Sequence, residues 1–182
     1  MTSSWSNRRG GHHTRILAAF MTLPWLLLSA SAYAQGVGCV VQTDSSRRQV
    51  LHCRDGLSIT TEEGADFTVT DDNRDGRPDG AVLRRGAVLV DAPSPSVRRG
   101  FQILTPQAVA AVRGTQWAVD VDANKTAVFV VSGRVSVRRV QGARSVNLNP
   151  GEGVDVDTGT APLTVRRWPA ARAAALLARL GR

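Results

Sequence analysis

Apolar and polar residues alternate along several short segments of this chain, with the two-residue period of a β-strand. Trp117, Val119 and Val121 fall on one side of such a segment, and alanine or aspartate lies between them. From Phe101 onwards, such segments recur about every ten residues between Gly, Pro, Asn and Asp, a spacing typical of all-β proteins. The exception is residues 107–112, where a continuous apolar run fits either a short helix or a strand buried on both faces. The pattern predicts an all-β fold: a sandwich or roll of short, mostly antiparallel strands.

The end of the chain has a different pattern, which predicts a short C-terminal helix over residues 169–180. A proline opens this segment, and the strong helix formers Ala, Leu and Arg follow it. One apolar stripe runs along it, made of Ala173, Leu176, Leu177 and Leu180. A helix of about eleven residues is marginal alone, so the stripe needs a partner. That partner is the protein's own sheet, a second protein or a membrane surface.

Residues 1–34 predict a cleavable signal peptide. They combine a basic start without acidic residues, an apolar run over residues 16–29, and the small-residue site Ala32-Tyr33-Ala34. The apolar run is shorter than the ~20 residues of a membrane-spanning helix, and no later stretch is long and apolar enough to span. We therefore expect a periplasmic mature protein, residues 35–182, that forms a single β-rich domain without a transmembrane segment.

Cys39 and Cys53 are the two cysteines of the chain. In an exported protein, an even pair this close in sequence predicts a disulfide. Closing a loop of about fifteen residues would stabilise the fold by roughly 3 kcal/mol on the chain-entropy model. A metal or redox pair is disfavoured, because the spacing matches neither C-x-x-C nor a zinc site.

The basic residues are scattered doublets rather than one cluster. The formal net charge is +8, and nearly all of the basic residues are arginine. An exported protein with dispersed arginines is not expected to bind nucleic acid, and the doublets are typical of solvated strand ends. The alternative is a basic face that contacts anionic lipid headgroups or cell-wall polymers.

An acidic loop at residues 71–79 is the strongest candidate for a metal site. Oxygen ligands stand at positions 1, 3, 5 and 9 of a calcium-loop pattern, namely Asp71, Asn73, Asp75 and Asp79. Gly76 allows the chain to fold back around an ion, but position 12 is Val82 rather than glutamate, which excludes an EF-hand. The loop therefore predicts either a structural calcium site or a polar hairpin turn without metal.

The chain offers few groups for catalysis. The expected mature part contains one histidine, His52, no expected free thiol and no G-x-S-x-G motif. Acid–base and nucleophilic catalysis need grouped side chains, and two-carboxylate glycosidase chemistry lacks a supporting set of cleft-forming aromatics. We predict no enzymatic activity and assign no catalytic residues.

One stretch carries a family resemblance. The sequence TPQAVAAVRGTQW at 105–117 precedes a hairpin centred on a glycine and an NPGEG turn at 149–153. Over residues 83–156 these features resemble the FecR-like periplasmic domain. The motif residues, to which we assign structural roles, are Thr105, Pro106, Arg113, Gly114, Thr115, Gly133, Gly151 and Glu152. The glycines suit sharp corners that side chains would forbid.

Arg113 stands next to an apolar run, so its guanidinium is expected to be partly enclosed. An enclosed guanidinium needs a carboxylate or several carbonyl groups. We expect Glu152 as the partner, with Asp120 or Asp122 as the second choice. The alternative is that Arg113 faces an anionic ligand.

The resemblance implies a role in signalling. FecR-type regulators sense the state of an outer-membrane receptor and pass it to a sigma factor, using a cytoplasmic segment and a membrane helix that precede the periplasmic domain. Here a signal peptide is expected instead. The resemblance therefore implies a non-enzymatic, free-standing sensory or interaction module that binds a periplasmic or outer-membrane protein through its edge strands or its C-terminal stripe. The alternatives are a calcium-stabilised structural envelope protein and, less favoured, a cell-wall hydrolase.

Overall fold

The computed structural model describes residues 38–93, 100–112 and 114–182. The predicted signal peptide and Arg113 lie outside these residues. Strands make up 54% of the structure, and one short helix follows them. The strands are β1 (Cys39–Thr43), β2 (Gln49–Cys53), β3 (Ser58–Thr61), β4 (Asp66–Thr70), β5 (Gly80–Ala92), β6 (Phe101–Leu104), β7 (Ala108–Val112), β8 (Thr115–Asp122), β9 (Lys125–Ser132), β10 (Val135–Arg139), β11 (Ser145–Leu148), β12 (Glu152–Asp157) and β13 (Arg166–Arg167), and the helix is α1 (Ala170–Arg179).

The strands form one continuous sheet in the order β11-β10-β7-β6-β5-β8-β9-β12-β13. The strands β3, β2 and β1 extend from β5 as a branch, and β4 also pairs with β5. All pairings between the described strands are antiparallel except that of β5 with β6. The predicted all-β class with a C-terminal helix is confirmed, but the sandwich or roll is not, because the sheet is open and curls into a half-barrel.

The curl originates in β5, a strand of 13 residues that both halves of the sheet share. Its first residues pair with β4 and β6, whereas its last residues pair with β3 and β8. Gly86 lies between the two parts with φ of +87°, and a Cβ there would come within 3.0 Å of Ala65. A left-handed residue inside a strand redirects it. One long strand therefore bends the sheet around a common interior.

The main core fills this interior. Trp117 and Val119 from β8 belong to this core together with Ile103 from β6 and Val137 from β10, and all four are fully buried. These residues come from both halves of the sheet, as the alternation along β8 predicted for its inward face. The ambiguous run at residues 107–112 contributes the strand β7 rather than a helix.

A second, smaller apolar cluster lies on the outer face of the sheet, beneath α1. Small side chains on three neighbouring strands, Ala87, Ala118 and Ala127, leave room for the helix. Leu176 and Leu180 fill that room and are 5% and 2% exposed. The predicted stripe thus docks on the protein's own sheet. In the described part of the chain, no helix has the length and apolar character needed to cross a membrane.

Candidate functional site

A buried polar cluster fixes the corner between β6 and β7. The Thr105 hydroxyl donates to the carbonyl of Ala108 at 3.0 Å and accepts from the Ala108 N–H at 2.9 Å. The Thr126 hydroxyl on β9 lies 2.8 Å from both the Thr105 hydroxyl oxygen and Gln107 Oε1. Thr126 is fully buried, and a buried polar group stays bound to its partners because breaking these bonds costs free energy. The corner that contains Pro106 is therefore tied to the opposite half of the sheet.

The motif glycines Gly114 and Gly133 meet at a second corner. Their φ angles are +65° and +80°, in the region that side chains rarely adopt. A Cβ on Gly133 would lie 2.6 Å from the carbonyl oxygen of Gly114 and 2.5 Å from the Thr115 methyl group. Thr115 itself is 3% exposed. The hairpin between β9 and β10 can therefore pack on the start of β8 only if position 133 has no side chain.

The turn at residues 149–153 closes on itself through Glu152. Its Oε2 accepts from the Asn149 backbone N–H at 2.8 Å and from the Asn149 side-chain amide at 3.1 Å. Gly151 has φ of +81°. The predicted pairing of Glu152 with Arg113 falls on a residue outside the described ones and stays a prediction, as does an Arg113 contact with an anionic ligand.

An aromatic stack joins the C-terminal segment to this turn. The Trp168 ring stacks on Phe129 with centroids 5.0 Å apart, and the Arg172 guanidinium lies 3.6 Å from the centroid of the indole. A Cβ on Gly153 would lie 2.5 Å from Trp168 Cε2 and 2.7 Å from the carbonyl oxygen of Val128. The edge of the indole therefore lies over Gly153 of β12, where a side chain would collide with it, and the Arg172 guanidinium lies over the ring.

Two arginines of α1 bind carboxylates on the sheet. Arg172 forms a two-bond pair with Asp155 on β12. Arg179 donates to Asp120 on β8 at 2.8 and 3.0 Å and to Glu62 at 2.7 Å. Hydrogen bonds to Asp120, ahead of those to Glu62, raise the pKa of Arg179 above its ordinary value. Asp120, the second choice as partner of Arg113, thus binds the C-terminal helix.

The acidic loop uses its predicted metal ligands to bind its own backbone. Asp71 Oδ2 accepts from Gly76 N–H at 2.8 Å, and Asn73 Oδ1 accepts from Asp75 N–H at 2.8 Å. Asp79 Oδ2 accepts from Asn73 N–H at 3.4 Å. These are the contacts of the hairpin-turn alternative. Among the described residues, no group of three or more His, Cys, Asp and Glu side chains is arranged to hold a metal ion. Calcium binding stays a prediction.

The predicted disulfide between Cys39 and Cys53 is present and links β1 to β2 at paired positions. Beside it is an open depression of about 510 Å³ that Val40, His52 and Arg54 help to line. The acidic loop also packs here, since a Cβ on Gly38 would collide with the Gly76 carbonyl. Val40 and Val41 are 61% and 40% exposed. This edge therefore combines a covalent anchor with uncovered apolar side chains.

Sequence reasoning brought some of these groups together and missed others. The glycine corner and the disulfide could be anticipated from the sequence. The Arg172 stack and the uncovered valines of β1 were missed. The signal for β1 was available, since Val40 and Val41 are adjacent, and two adjacent apolar residues of a strand cannot both face one core.

Comparison with known proteins finds one family model that matches this chain. A family model described as "FecR protein" matches residues 40–136, which is more than half of the chain. The matched range begins in β1 and ends in β10, whereas the resemblance seen in the sequence spans residues 83–156. No curated protein sequence matches the chain.

Two crystal structures of a candidate anti-sigma factor from Parabacteroides distasonis, at 1.65 and 2.50 Å resolution, have a similar fold. Both give a TM-score of 0.57, with 18% and 17% sequence identity. They cover 75% and 76% of this chain, and this chain covers 63% and 65% of theirs. The chain therefore spans less than two thirds of the length of these relatives, and the likeness concerns the fold.

Proposed function

This chain belongs to the FecR family, and we propose that it acts in the periplasm as a non-enzymatic protein-interaction module for signal transduction. The resemblance seen in its sequence is thereby confirmed, and the family match supports a regulatory role. The observation that carries the proposal is the edge of the sheet at β1, where apolar side chains lie uncovered beside a covalent anchor.

The disulfide supports the proposed compartment. Disulfides form and persist in oxidising surroundings such as the periplasm and are rare in the bacterial cytosol. Cys39 and Cys53 are bonded here, and the described residues contain no free cysteine. The pair agrees with the signal peptide expected at residues 1–34.

The C-terminal helix supports the choice of surface by elimination. Of the two contact surfaces expected from the sequence, the apolar stripe of α1 is already buried on the sheet through Leu176 and Leu180. Edge strands remain, and an exposed sheet edge can bind a partner through main-chain hydrogen bonds.

The proposal does not include binding of a sigma factor. The anti-sigma description belongs to the Parabacteroides distasonis protein, which shares the fold at 17–18% identity and is longer than this chain. Proteins that share a fold can bind different partners. The proposed partner is therefore a periplasmic or outer-membrane protein.

Capture from the periplasm tests the proposal. The full chain, with a C-terminal affinity tag and its own leader, is expressed, fractionated and purified after mild crosslinking. We expect the chain in the periplasmic fraction together with one protein in a constant molar ratio. A chain that stays cytoplasmic, or that elutes alone, contradicts the proposal. Recovery alone with a calcium-dependent melting temperature would favour the structural envelope protein, and turnover of purified cell wall would favour the hydrolase.

A further inference from the structure

An open cavity of about 450 Å³ lies where three parts of the chain meet at the end of the sheet. Its walls are residues 106–107 before β7, the turn at residues 139–142 after β10, and residues 157–160 after β12. Val140 N–H donates to the Gln107 carbonyl at 3.1 Å, which joins the first wall to the second. Small-molecule sites have volumes of about 300–1,000 Å³. This cavity can therefore hold a small molecule or one unit of a polymer.

Arg139 holds the third wall in place. Its Nη1 donates to the Asp157 carbonyl at 2.5 Å, and its Nη2 donates to Asp157 Oδ1 at 2.9 Å. Its Nε and Nη2 also donate to the Ala161 carbonyl at 3.2 and 3.0 Å. Gly159 N–H donates to Asp157 Oδ1 at 3.0 Å. These bonds form the cavity before any ligand arrives, which reduces the ordering cost of binding.

Gln107 presents an unpartnered hydrogen-bond donor to the cavity. The residue is 8% exposed, and its Oε1 accepts from the Thr126 hydroxyl at 2.8 Å. Its Nε2 has no hydrogen bond to any described residue. Among the described residues, the unpartnered side-chain polar atoms that are fully enclosed belong to Thr115 and Trp117, so Gln107 Nε2 reaches solvent through the cavity that the residue lines. A ligand oxygen that accepts from Nε2 would complete the hydrogen bonding of this nearly buried amide.

The described lining of the cavity carries no net charge. Arg139 and Asp157 are its two charged residues, and they pair with each other at 2.9 Å. The Arg138 guanidinium is nearby, but it donates to the carbonyls of Arg139 and Val140 and does not line the cavity. An ionised ligand would lose hydration here without meeting a free opposite charge. The lining therefore favours a neutral ligand.

The uncharged side chains of the lining suit a ligand with hydroxyl groups. Amides and hydroxyls both donate and accept hydrogen bonds, and the lining has four such side chains, namely Gln107, Gln141, Thr158 and Thr160. A sugar hydroxyl also donates and accepts, so it can pair with these groups in either direction. Pro106 and Val140 add apolar surface, and Val140 is 40% exposed. A methyl group on the ligand would cover that surface.

The strands that lead into the cavity have no free edge for an extended peptide. Within the described residues, β7 pairs with β6 and β10, and β10 pairs with β7 and β11. A peptide that joins a sheet binds through main-chain bonds to an unpaired strand. Because both strands are already paired on each side, a compact sugar unit fits this place better than a peptide strand.

We propose that this cavity binds an N-acetylhexosamine unit, a neutral sugar that carries an acetamido group. The acetamido carbonyl accepts from Gln107 Nε2, and the acetamido methyl group lies against Pro106 and Val140. The ring hydroxyls bond to Thr158 and Thr160. This inference goes beyond the proposed function, because the ligand is a sugar, whereas the partner proposed above is a protein that binds at β1.

The cavity is suited to binding the sugar and not to cleaving it. Glycoside hydrolysis ordinarily uses two carboxyl groups, and the described lining supplies one, that of Asp157. The hydrogen bond from Arg139, followed by that from Gly159 N–H, lowers the pKa of Asp157. The group is therefore ionised at neutral pH and already bound to the wall, so it has no proton to give to a leaving group.

Titration with a soluble sugar, followed by NMR of the chain purified with its disulfide intact, tests the site. The probe is N-acetylglucosamine. Its comparisons are glucosamine, which has a charged amine in place of the acetamido group, and N-acetyl-trialanine amide, which has carbonyls and methyl groups but no hydroxyls. We expect N-acetylglucosamine to shift the Gln107 side-chain amide signals with a dissociation constant on the order of 1 mM, at least about tenfold tighter than either comparison. Added salt should leave this affinity unchanged, because the ligand is neutral.

Absence of binding overturns the proposal, as does equal affinity for either comparison compound or an affinity that falls as salt is added. Equal binding of the peptide amide would assign the cavity to a peptide instead.

A four-unit oligomer of N-acetylglucosamine and isolated cell wall distinguish the sources of the sugar. If the source is a wall polymer, the chain sediments with the wall, and the oligomer releases it. If the source is a free sugar, the chain stays in the supernatant and binds monomer and oligomer equally. Either result supports the site. Mass spectrometry should show the oligomer intact after incubation with the chain, and shortened products would contradict binding without cleavage.

Variants at two equally exposed valines locate the site. Val140 lines the cavity and Val41 lies on β1, and both are 40% exposed. Val140→Glu places a charge in the neutral lining and removes the apolar contact. We expect it to weaken binding of N-acetylglucosamine at least about tenfold, whereas Val41→Glu should leave binding unchanged. Equal effects of the two variants would overturn the assignment.

Gln107→Glu tests the assigned hydrogen bond, because it keeps an oxygen for Thr126 and replaces the donor Nε2 with an acceptor. We expect binding at least about tenfold weaker, and a folded variant that binds like the wild type would overturn the proposal. Melting curves verify the fold of each variant, and the two valine variants decide the question if Gln107→Glu does not fold. Capture of a periplasmic protein by Val140→Glu should be unchanged, so the sugar site and the proposed function can fail separately.

Discussion

The two ends of the described chain are attached to the same sheet in opposite ways. At the N-terminal end, β1 has one neighbouring strand and four exposed residues of five, and the bond between Cys39 and Cys53 holds it. At the C-terminal end, Leu176 and Leu180 of α1 are buried, and the Trp168 stack adds to the contact. Burial holds α1, whereas a covalent bond holds β1.

This difference determines which of the two segments still has apolar surface available for a partner. A segment that is held by burial uses its apolar surface in the fold and has none left for a partner. A segment that is held by a disulfide keeps its surface, because the cross-link stabilises the fold mainly through the unfolded chain. The N-terminal edge can therefore remain both ordered and uncovered.

Trp168→Ala is expected to have the largest effect on the C-terminal attachment. It removes a nearly buried indole that lies between Phe129 and Arg172, and truncation of such a side chain costs about 3–5 kcal/mol. Urea unfolding of the variant measures the loss, and Trp168→Phe, which retains an aromatic ring, is the control and should lose less. A loss below about 1 kcal/mol would contradict the view that burial holds this end.

Removal of the disulfide by the double change Cys39→Ala and Cys53→Ala is expected to cost about 3 kcal/mol, given a sequence separation of 14. Hydrogen exchange should report faster exchange in β1 and β2 and little change in α1. The oxidised wild type at the same pH is the reference. Uniformly faster exchange over the whole chain would show that the disulfide supports the fold generally rather than this edge.

The predicted calcium loop adjoins the N-terminal edge, so a bound ion would add a second anchor there. If residues 71–79 bind calcium with the millimolar affinity of extracellular sites, a tenfold excess over the dissociation constant stabilises the chain by about 1.4 kcal/mol. Melting with calcium and with chelator measures this, and Asp71→Asn should remove the difference. A melting temperature that does not depend on calcium would leave the hairpin turn as the explanation of this loop.

Arg179→Ala is expected to have the smallest effect, about 1 kcal/mol or less, because its side chain is 43% exposed and water screens its bonds to Asp120 and Glu62. Part of the loss should disappear as salt is added. Arg134→Ala, an exposed arginine in the hairpin before β10, is the matched control and should leave the unfolding free energy unchanged. A loss as large as that of Trp168→Ala would mean that ion pairs, rather than burial, hold the helix.

Much of the fold could be predicted from local pattern. The alternation along β8 identified its inward face, and the stripe of α1 identified the helix and its buried side. The run at residues 107–112 could not be assigned, because an apolar segment without alternation fits a helix or a buried strand until its neighbours are known. Its neighbours are β6 and β10, and pairing with both makes it a strand.

The candidate site was less predictable than the fold. The spacing of Cys39 and Cys53 indicated a cross-link, but it could not indicate that β1 would lie at an edge. The oxygen ligands at residues 71–79 fit two uses, and the structure shows them bound to loop N–H groups. The sequence pattern shows which side chains could act as ligands, whereas the groups around them in the folded chain determine what they bind.

The sequence by itself determined the strand-rich class, the terminal helix with its apolar stripe and the pair of cysteines able to bond, because periodicity and spacing are local properties. Only the tertiary structure decided that β5 would bend at Gly86 and serve both halves of one open sheet. It also decided that the sheet itself would cover α1 and that β1 would have no strand beyond it among the described residues. These outcomes depend on contacts between residues far apart in the chain, and local periodicity does not encode them.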